Sequence, residues 1–415
     1  MKIAIIGSGI SGLTSAYLLN RKHQITVFEA SDWIGGHTHT VEVETAGKRF
    51  AIDTGFIVFN DWTYPHFIRL LGQLGVAYKP TQMSFSVSDP VSGTEYNGNS
   101  LNSLFAQRSN LISPRFWNMV RDILRFNREV IDDLNNYRIH PSMTLGQYLK
   151  AGGYCSRFTE HYIVPMGAAI WSMSLQDMLD FPLQFFVRFF KNHGLLSVNN
   201  RPQWCVIEGG SSRYIAPLSA SFKQHIRLNC PVQRVERDAE GVNIYSTNGL
   251  ERFDKVVFAC HSDQALALLA QPSAQERQIL GALRYADNDV VLHTDTRLLP
   301  QRPLAWASWN YRLGGPVEQP AAVTYNMNIL QGIQSDTTFC VSLNQSAQIE
   351  PSKILGRYSY SHPQYSLDSV GAQSRHEELL GPNHSYFCGA YWANGFHEDG
   401  VVSALRVARH FDEAL

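Results

Sequence analysis

Ile3-Ala4-Ile5-Ile6-Gly7-Ser8-Gly9-Ile10-Ser11-Gly12, continued by Leu13, Ala16, Leu18 and Leu19 and then by Ile25-Thr26-Val27-Phe28-Glu29, decides how this chain folds. Ile3 to Ile6 is a short, wholly apolar run of the kind found in a central strand buried on both faces. The apolar residues from Leu13 to Leu19 recur at helical spacing, and the second apolar run ends on an acid. The order is strand, glycine turn, helix, strand. The three glycines do different physical jobs. Gly7 allows the tight turn, Gly9 lets backbone approach a pyrophosphate, and Gly12 lets the helix close on the strand. Ile10 and Ser11 open the helix, whose unpaired N–H groups and positive dipole end face the phosphates. Glu29 stands 17 residues after Gly12, where it can bond a ribose hydroxyl. The expected fold class is α/β with a Rossmann-like dinucleotide-binding domain.

Bulk properties narrow the remaining possibilities. A chain of 415 residues is long enough for two or three domains. Its net charge of −1 and lack of a basic tract argue against nucleic acid as a partner. The six cysteines (Cys155, Cys205, Cys230, Cys260, Cys340, Cys388) include no CxxC pair, so reduced and mostly buried thiols are expected, with no metal site. No apolar run reaches the eighteen or so residues that span a bilayer. The expected location is cytoplasmic, with no signal peptide ahead of the first strand and peripheral contact with the inner face of the membrane left open.

After Glu29, the stretch Ala30-Ser31-Asp32-Trp33-Ile34-Gly35-Gly36-His37-Thr38-His39-Thr40 resembles the second glycine pair of FAD enzymes of the amine oxidase and phytoene desaturase superfamily, with Ala30 among the cofactor candidates. That resemblance implies non-covalent FAD, a glutathione reductase-type nucleotide domain, and a Gly35–Thr38 segment closing over the pyrophosphate toward the flavin. Most members carry Arg where this chain has His37. Phe50-Ala51-Ile52-Asp53-Thr54-Gly55-Phe56-Ile57 resembles the family strand that delivers backbone to the flavin, with Gly55, Phe56 and Ile57 at the ring; Asp53 reads equally as a turn-capping acid. Val232 matches the valine whose backbone meets adenine, in a strand expected from Ile226 to Val235. Tyr386-Phe387-Cys388-Gly389-Ala390-Tyr391-Trp392 and Gly395-Phe396-His397-Glu398-Asp399-Gly400-Val401 have the form of the C-terminal flavin motif. Gly389, Tyr391, His397, Glu398, Asp399 and Val401 are its cofactor candidates, and a helix is expected to start at Asp399-Gly400.

A closer resemblance is to bacterial FAD-binding proteins related to the flavoprotein domain ahead of plant cyclopropane fatty acid synthases. Asp53–Asn60, Met83–Ser88, Ala169–Ser172, Arg201–Trp204, Asn328–Gln331 and Gly395–Gly400 carry it across nearly the whole chain. It implies dehydrogenation of a fatty acyl or phospholipid acyl chain by hydride transfer to flavin N5, and a cyclopropane synthase-like methyltransferase as a partner. The alternatives are an amine oxidase, and an FAD-bound accessory protein of a lipid methyltransferase. Amine oxidases carry a lysine on the strand entering the substrate domain; Tyr285–Val291 here has none.

The organisation that follows is a discontinuous FAD domain (1–62, 204–283, 380–415) and an inserted α+β substrate domain (63–203, 284–379) with a helical insertion at about 101–196. Helices are expected at Arg115–Asn135, Thr144–Lys150, Arg157–Val164 and Ser174–His193. Within the last, the aromatic run Phe181–Lys191 reads as a core helix. Its second reading lines a lipid tunnel or touches a bilayer through Arg188 and Lys191. His397 and Glu398 lead as acid–base candidates, though Glu398 or Asp399 equally reads as a helix cap and His397 as a cofactor contact. Tyr391 and Trp392 read as flavin walls or plain packing. Trp171, Tyr325 and Trp392 form the expected substrate wall, with Asn326 and His161 beside them. His37 and His39 support the cofactor, and Cys388 is a buried core thiol.

Overall fold

A computed structural model describes residues 1–45, 47–315 and 318–415. The opening strand, Lys2–Ile6, lies at the centre of a five-stranded parallel sheet, between Gln24–Phe28 and Lys255–Phe258. Ile226–Arg227 and Ser385–Phe387 form the edges. Three separate stretches of chain therefore build one sheet. Ile3, Ala4 and Ile5 are fully buried because both faces are covered. Helix Ile10–Leu19 packs on one face so tightly that a Cβ on Gly12 would lie 2.0 Å from the Gly7 carbonyl oxygen. Gly7 itself has φ +104°, open only to glycine.

A seven-stranded mixed sheet forms the second body. Its order is Ile354–Gln364, Arg284–His293, Cys340–Leu343, Val323–Asn326, Trp309–Arg312, Phe85–Asp89, Thr94–Asn97. All pairs are antiparallel except Trp309–Arg312 with Phe85–Asp89. The expected hairpin after Met83 is the last pair of this sheet. The helices of the 101–196 stretch pack over it in one continuous apolar cluster.

Three expected elements differ from the structure. The Ser174–His193 helix is two helices, Leu175–Leu179 and Leu183–Asn192. The break falls at Pro182, which has no N–H to continue the ladder; the Phe181 carbonyl instead accepts from Leu145 N–H at 2.9 Å. The Arg157–Val164 helix runs on through Ser156–Phe158, a π-helical turn at Thr159–Ile163, and Val164–Trp171. Pro165 leaves the His161 carbonyl without its i+4 donor, and the Tyr96 hydroxyl takes that place at 2.5 Å. The Ile226–Val235 strand divides as well. Ile226–Arg227 joins the parallel sheet, while Val232–Arg237 starts a separate three-stranded meander beyond Asn229 (φ +50°) and Pro231.

The aromatic run resolves as core. Phe186 is fully buried, and Phe189 and Phe190 nearly so. Among the described residues no helix is long and apolar enough to cross a membrane, no cysteine is paired, and no metal-binding cluster occurs.

Candidate functional site

The glycine turn is held from two sides. Gly7 N–H donates to the Phe28 carbonyl at 2.8 Å. Glu29 folds its carboxylate onto the turn: one oxygen accepts from Ser8 N–H (2.9 Å) and the Ser8 hydroxyl (2.6 Å), the other from Ser31 N–H (2.9 Å). Ala30 just beyond is exposed. Gly35 (φ +130°) and Gly36 (φ +58°) then bring the next loop back over the turn. A Cβ on Gly36 would stand 3.2 Å from Gly9 Cα. The two glycine motifs, apart in sequence, meet at Gly9.

The closing helix, His397–Arg409, completes this end. A Cβ on Gly400 would lie 2.7 Å from Ile10 Cγ2 and 3.0 Å from Ser11 Oγ, so the first turns of the first and last helices touch. Val401 is fully buried between them. Two positive dipole ends are thus side by side. The helix starts two residues earlier than its sequence implies, because Asp399 accepts from Phe396 N–H (2.9 Å) and Asn394 N–H (3.1 Å) and so caps the turn from its third position. Burial raises its carboxyl pKa to about 7.

Both expected acid–base residues have holding roles. Glu398 uses both oxygens on the start of another helix, Pro65–Leu74. One accepts from His66 N–H and meets His66 Nδ1, the other accepts from Phe67 N–H at 2.8 Å. His397 is buried, with its Nε2 2.9 Å from Thr38 Oγ1 and 3.3 Å from the Tyr214 hydroxyl, and its ring stacked on Phe56 at 3.4 Å. It locks the Gly35–Thr38 loop to the closing helix. Burial drives its pKa far below the ordinary imidazole value.

Asp53 is no local turn cap. It accepts from Thr40 Oγ1 (2.6 Å), Ser211 N–H (2.9 Å) and Gln331 Nε2 (2.9 Å), tying its strand to two distant loops. Burial raises its pKa to about 6. The strand continues so close to the glycine-pair loop that a Cβ on Gly55 would sit 2.1 Å from the His37 carbonyl oxygen, which accepts from Phe56 N–H at 2.7 Å. Ile57 is buried next in line.

Where this loop meets the seven-stranded sheet, the structure assembles a group that sequence spacing does not bring together. His37 lies with ring centroids 5.9 Å from His261, 5.3 Å from Tyr360 and 5.6 Å from His362. His261 stacks on Tyr285 at 4.2 Å. His362 Nδ1 is 3.1 Å from Asn288 Nδ2 and 3.0 Å from Ser172 Oγ. The Tyr360 hydroxyl meets Thr54 Oγ1 (2.8 Å) and His39 Nδ1 (3.0 Å). Burial lowers the pKa of His37 and His261 to about 4 and of His362 to about 3, so the cluster is neutral at pH 7. His37 Nε2 is buried without a partner. The amide of Asn288 is buried on the strand Arg284–His293. The one legible signal is Tyr358, Tyr360 and His362 at alternate positions, which places them on one face of a strand.

The expected substrate wall is not one surface. Trp171 and Tyr325 share the large core cluster, and Trp171 Nε1 donates to the Asn394 carbonyl at 3.3 Å. Tyr391 and Trp392 belong to a different cluster behind the parallel sheet, where Trp392 stacks on His376 at 3.9 Å. Asn326 caps the short helix Met327–Leu330, and His161 turns to Asp89 at 3.1 Å. Val232 packs at the edge of the meander's cluster, and Gly389 N–H donates to Ser403 Oγ at 2.9 Å. Cys388 is fully buried against Ser15, its thiol pushed up to about 12 by burial.

The residues present fit a flavin dinucleotide. Gly9 has nothing within 4 Å of where a Cβ would stand, and no side chain caps the first helix, so its N–H groups are left for an anion. At the opposite end the unpartnered His37 Nε2 offers a polar contact.

Residues 10–305 match the pattern of flavin containing amine oxidoreductases. The chain is 46% identical to the 1-hydroxycarotenoid 3,4-desaturase of Flavobacterium sp. over 74 residues, which are 18% of this chain and 14% of the desaturase. In fold it is similar to cyclohexylamine oxidase from Brevibacterium oxydans IH-35A, with a TM-score of 0.68 and 16% identity over 99% of both chains. It is equally similar to a CLA-producing fatty acid isomerase from P. acnes, with a TM-score of 0.68 and 15% identity over 99% of this chain and 98% of that one.

Proposed function

The chain belongs to the flavin containing amine oxidoreductase family, and from that premise we infer that it dehydrogenates a fatty acyl or phospholipid acyl chain. It is an FAD-dependent oxidoreductase. When bound, FAD supplies the acceptor for a hydride equivalent. Gly9, Gly36 and the uncapped first helix would hold its pyrophosphate. Gly55, Phe56 and the start of the closing helix would meet its ring end. The chain's own chemical contribution is to orient the substrate, exclude water and handle one proton.

The observation that carries the acyl reading is the neutrality of the junction. The side chains gathered there are imidazoles, phenols, hydroxyls and an amide, and the exposed Asp287 carboxylate near His261 accepts from the Ser361 hydroxyl. The nearby buried carboxylates Asp53, Glu398 and Asp399 are each committed to backbone and side-chain donors. An ammonium or amino acid bound as an ion would need a facing charge, whereas an acyl chain needs none. Phe189, Trp171 and Tyr365 pack as apolar core beside Phe396 and Gly395. A neutral His37 with a free Nε2 can accept the proton released as a carbon–carbon double bond forms. The two fold relatives above, named for an amine and for a fatty acid, are compatible with either substrate class, and the lining is what supports the acyl reading.

The test is anaerobic mixing of the FAD-loaded protein with acyl phospholipids, free fatty acids, amines and amino acids, followed by flavin absorbance. Bleaching by an acyl lipid, reversed by an electron acceptor, is the expected result. Bleaching by amines or amino acids alone overturns the acyl reading. No bleaching by any of them, with a lipid methyltransferase co-purifying, replaces it by the accessory role.

A further inference from the structure

Several of the large apolar side chains that this fold leaves in water fall close together, while others, among them Val91, Tyr137 and Val198, stand singly elsewhere. Leu101 is 77% exposed and Ile112 86%, and Leu111, Trp117 and Leu124 are also exposed, all within one stretch of chain. Exposed Leu304 joins them from the turn Pro303–Ala305, which packs on helix Leu101–Leu104.

This surface is built rather than loose. Ser100 and Ser103 cap each other's backbone around helix Leu101–Leu104. The Gln107 side chain accepts from Glu95 N–H at 3.1 Å, which pins the stretch to the hairpin. Phe105 is wedged between Phe116 (5.6 Å) and Trp117 (5.4 Å), and Trp117 Nε1 donates to the Leu111 carbonyl at 2.8 Å. Leu111 and Ile112 are therefore held outward on a short 3-10 turn ahead of the long helix Pro114–Asn135.

The charge pattern identifies the partner. Between Leu101 and Arg128 the chain carries five arginines (Arg108, Arg115, Arg121, Arg125, Arg128) and one acid, with Glu129 directly after and 3.8 Å from Arg128, in a protein whose net charge is −1. The acid, Asp122, is buried and paired with Arg125 and Arg121. Trp117, Arg121, Leu124 and Arg128, spaced four, three and four apart, share one outer face of the long helix, so apolar and cationic side chains alternate along it. Projecting aliphatics, an interfacial tryptophan and arginines able to reach headgroups make up a surface for an anionic bilayer.

We propose that the surface formed by Leu101, Leu111, Ile112, Trp117 and Leu124 with its flanking arginines docks the protein peripherally on an anionic phospholipid bilayer. Leu111 and Ile112 enter the acyl boundary, and Arg115, Arg121 and Arg128 meet the phosphates. The inference does not rest on the acyl-substrate reading, since a protein that docks here and oxidises another substrate would still satisfy it.

Co-sedimentation of the FAD-loaded protein with vesicles tests it. Phosphatidylcholine vesicles containing phosphatidylglycerol should bind the protein, pure phosphatidylcholine should bind it far less, and added salt should weaken the binding. Arg115→Gln and Arg121→Gln should each cost about fivefold in affinity. Ile112→Asp with Trp117→Ala should cost at least about tenfold. All these side chains face solvent, so an unchanged flavin spectrum reports intact folding. Absent binding by the parent protein, or equal binding by the double variant, overturns the proposal. So does a lipid-free dimer that Ile112→Asp converts to monomer, which would make this surface an interface between copies.

Discussion

The two ends of the site are built on different principles. At the nucleotide end the geometry is made by the absence of side chains: Gly7, Gly9, Gly12, Gly35 and Gly36 let backbone approach backbone. At the junction it is made by large side chains, His37, His261, Tyr285, Tyr360 and His362, brought from distant parts of the chain. The first end can hold a cofactor shared by many enzymes. Substitutions at the two ends should therefore fail in different ways.

The largest effect falls on Gly12. Gly12→Val places side-chain carbons against the Gly7 carbonyl, where a single Cβ already comes within 2.0 Å, and should cost more than about 3 kcal/mol. Little soluble protein is expected, and thermal melting of any that is recovered measures the loss. Gly9→Ala sharpens the contrast, because its Cβ meets nothing within 4 Å. Its melting temperature should fall only slightly, by less than about 1 kcal/mol of stability. FAD affinity, read by fluorescence titration of the apoprotein, should drop at least about tenfold as the methyl group enters the approach kept clear for an anion. If the two glycines behave alike, the division between packing glycine and cofactor glycine is wrong.

The junction should show itself through pH. Burial lowers the pKa of His37, His193, His261 and His293 to about 4, and of His362 and His376 to about 3, against 6.5 when unfolded. Above pH 6.5 neither state binds these protons and the stability is fully present. As pH falls from 6.5 toward 4 only the unfolded chain takes them up, so stability is lost, by at most about 1.4 kcal/mol per pH unit for each imidazole. Asp53 and Asp399, raised to about 6 and 7, act in the opposite sense, since the folded state holds their protons more tightly. Six imidazoles against two carboxyls decide the sign. The melting temperature should fall steadily from pH 7 to pH 5, and a flat or rising profile would contradict neutral histidines, three of them at the junction, held in the folded state.

The same contrast explains what could be read from the sequence. The nucleotide end was legible because Gly7 to Glu29 lies within one βαβ unit, where spacing alone fixes geometry. The contact between Gly400 and Ile10 had no such signal, although the glycine-rich closing loop pointed to it. The junction draws on residues 37, 261, 285, 288, 360 and 362; His37 reads as a cofactor support, and the others leave no local trace beyond the alternation of Tyr358, Tyr360 and His362. His397 and Glu398 were expected at the flavin as acid–base candidates, but their partners Thr38, Tyr214, His66 and Phe67 come from elsewhere, so their holding roles were invisible. The single helix expected over Ser174–His193 overrode a signal that was present, Pro182, because apolar periodicity continues across it.

If the His37–His261–His362 group faces the flavin ring while Glu29 serves the far end of the same cofactor, substitutions at the two places must act differently on bound flavin. The most direct measurement is the visible spectrum and midpoint potential of bound flavin in His37→Gln, His362→Gln and Glu29→Gln. Both histidine variants should shift the flavin bands and potential while retaining FAD, the smallest of these effects but the most specific. Glu29→Gln should weaken FAD binding and leave the spectrum of the bound fraction unchanged. Histidine variants with an unaltered flavin spectrum and potential would contradict this division of the site.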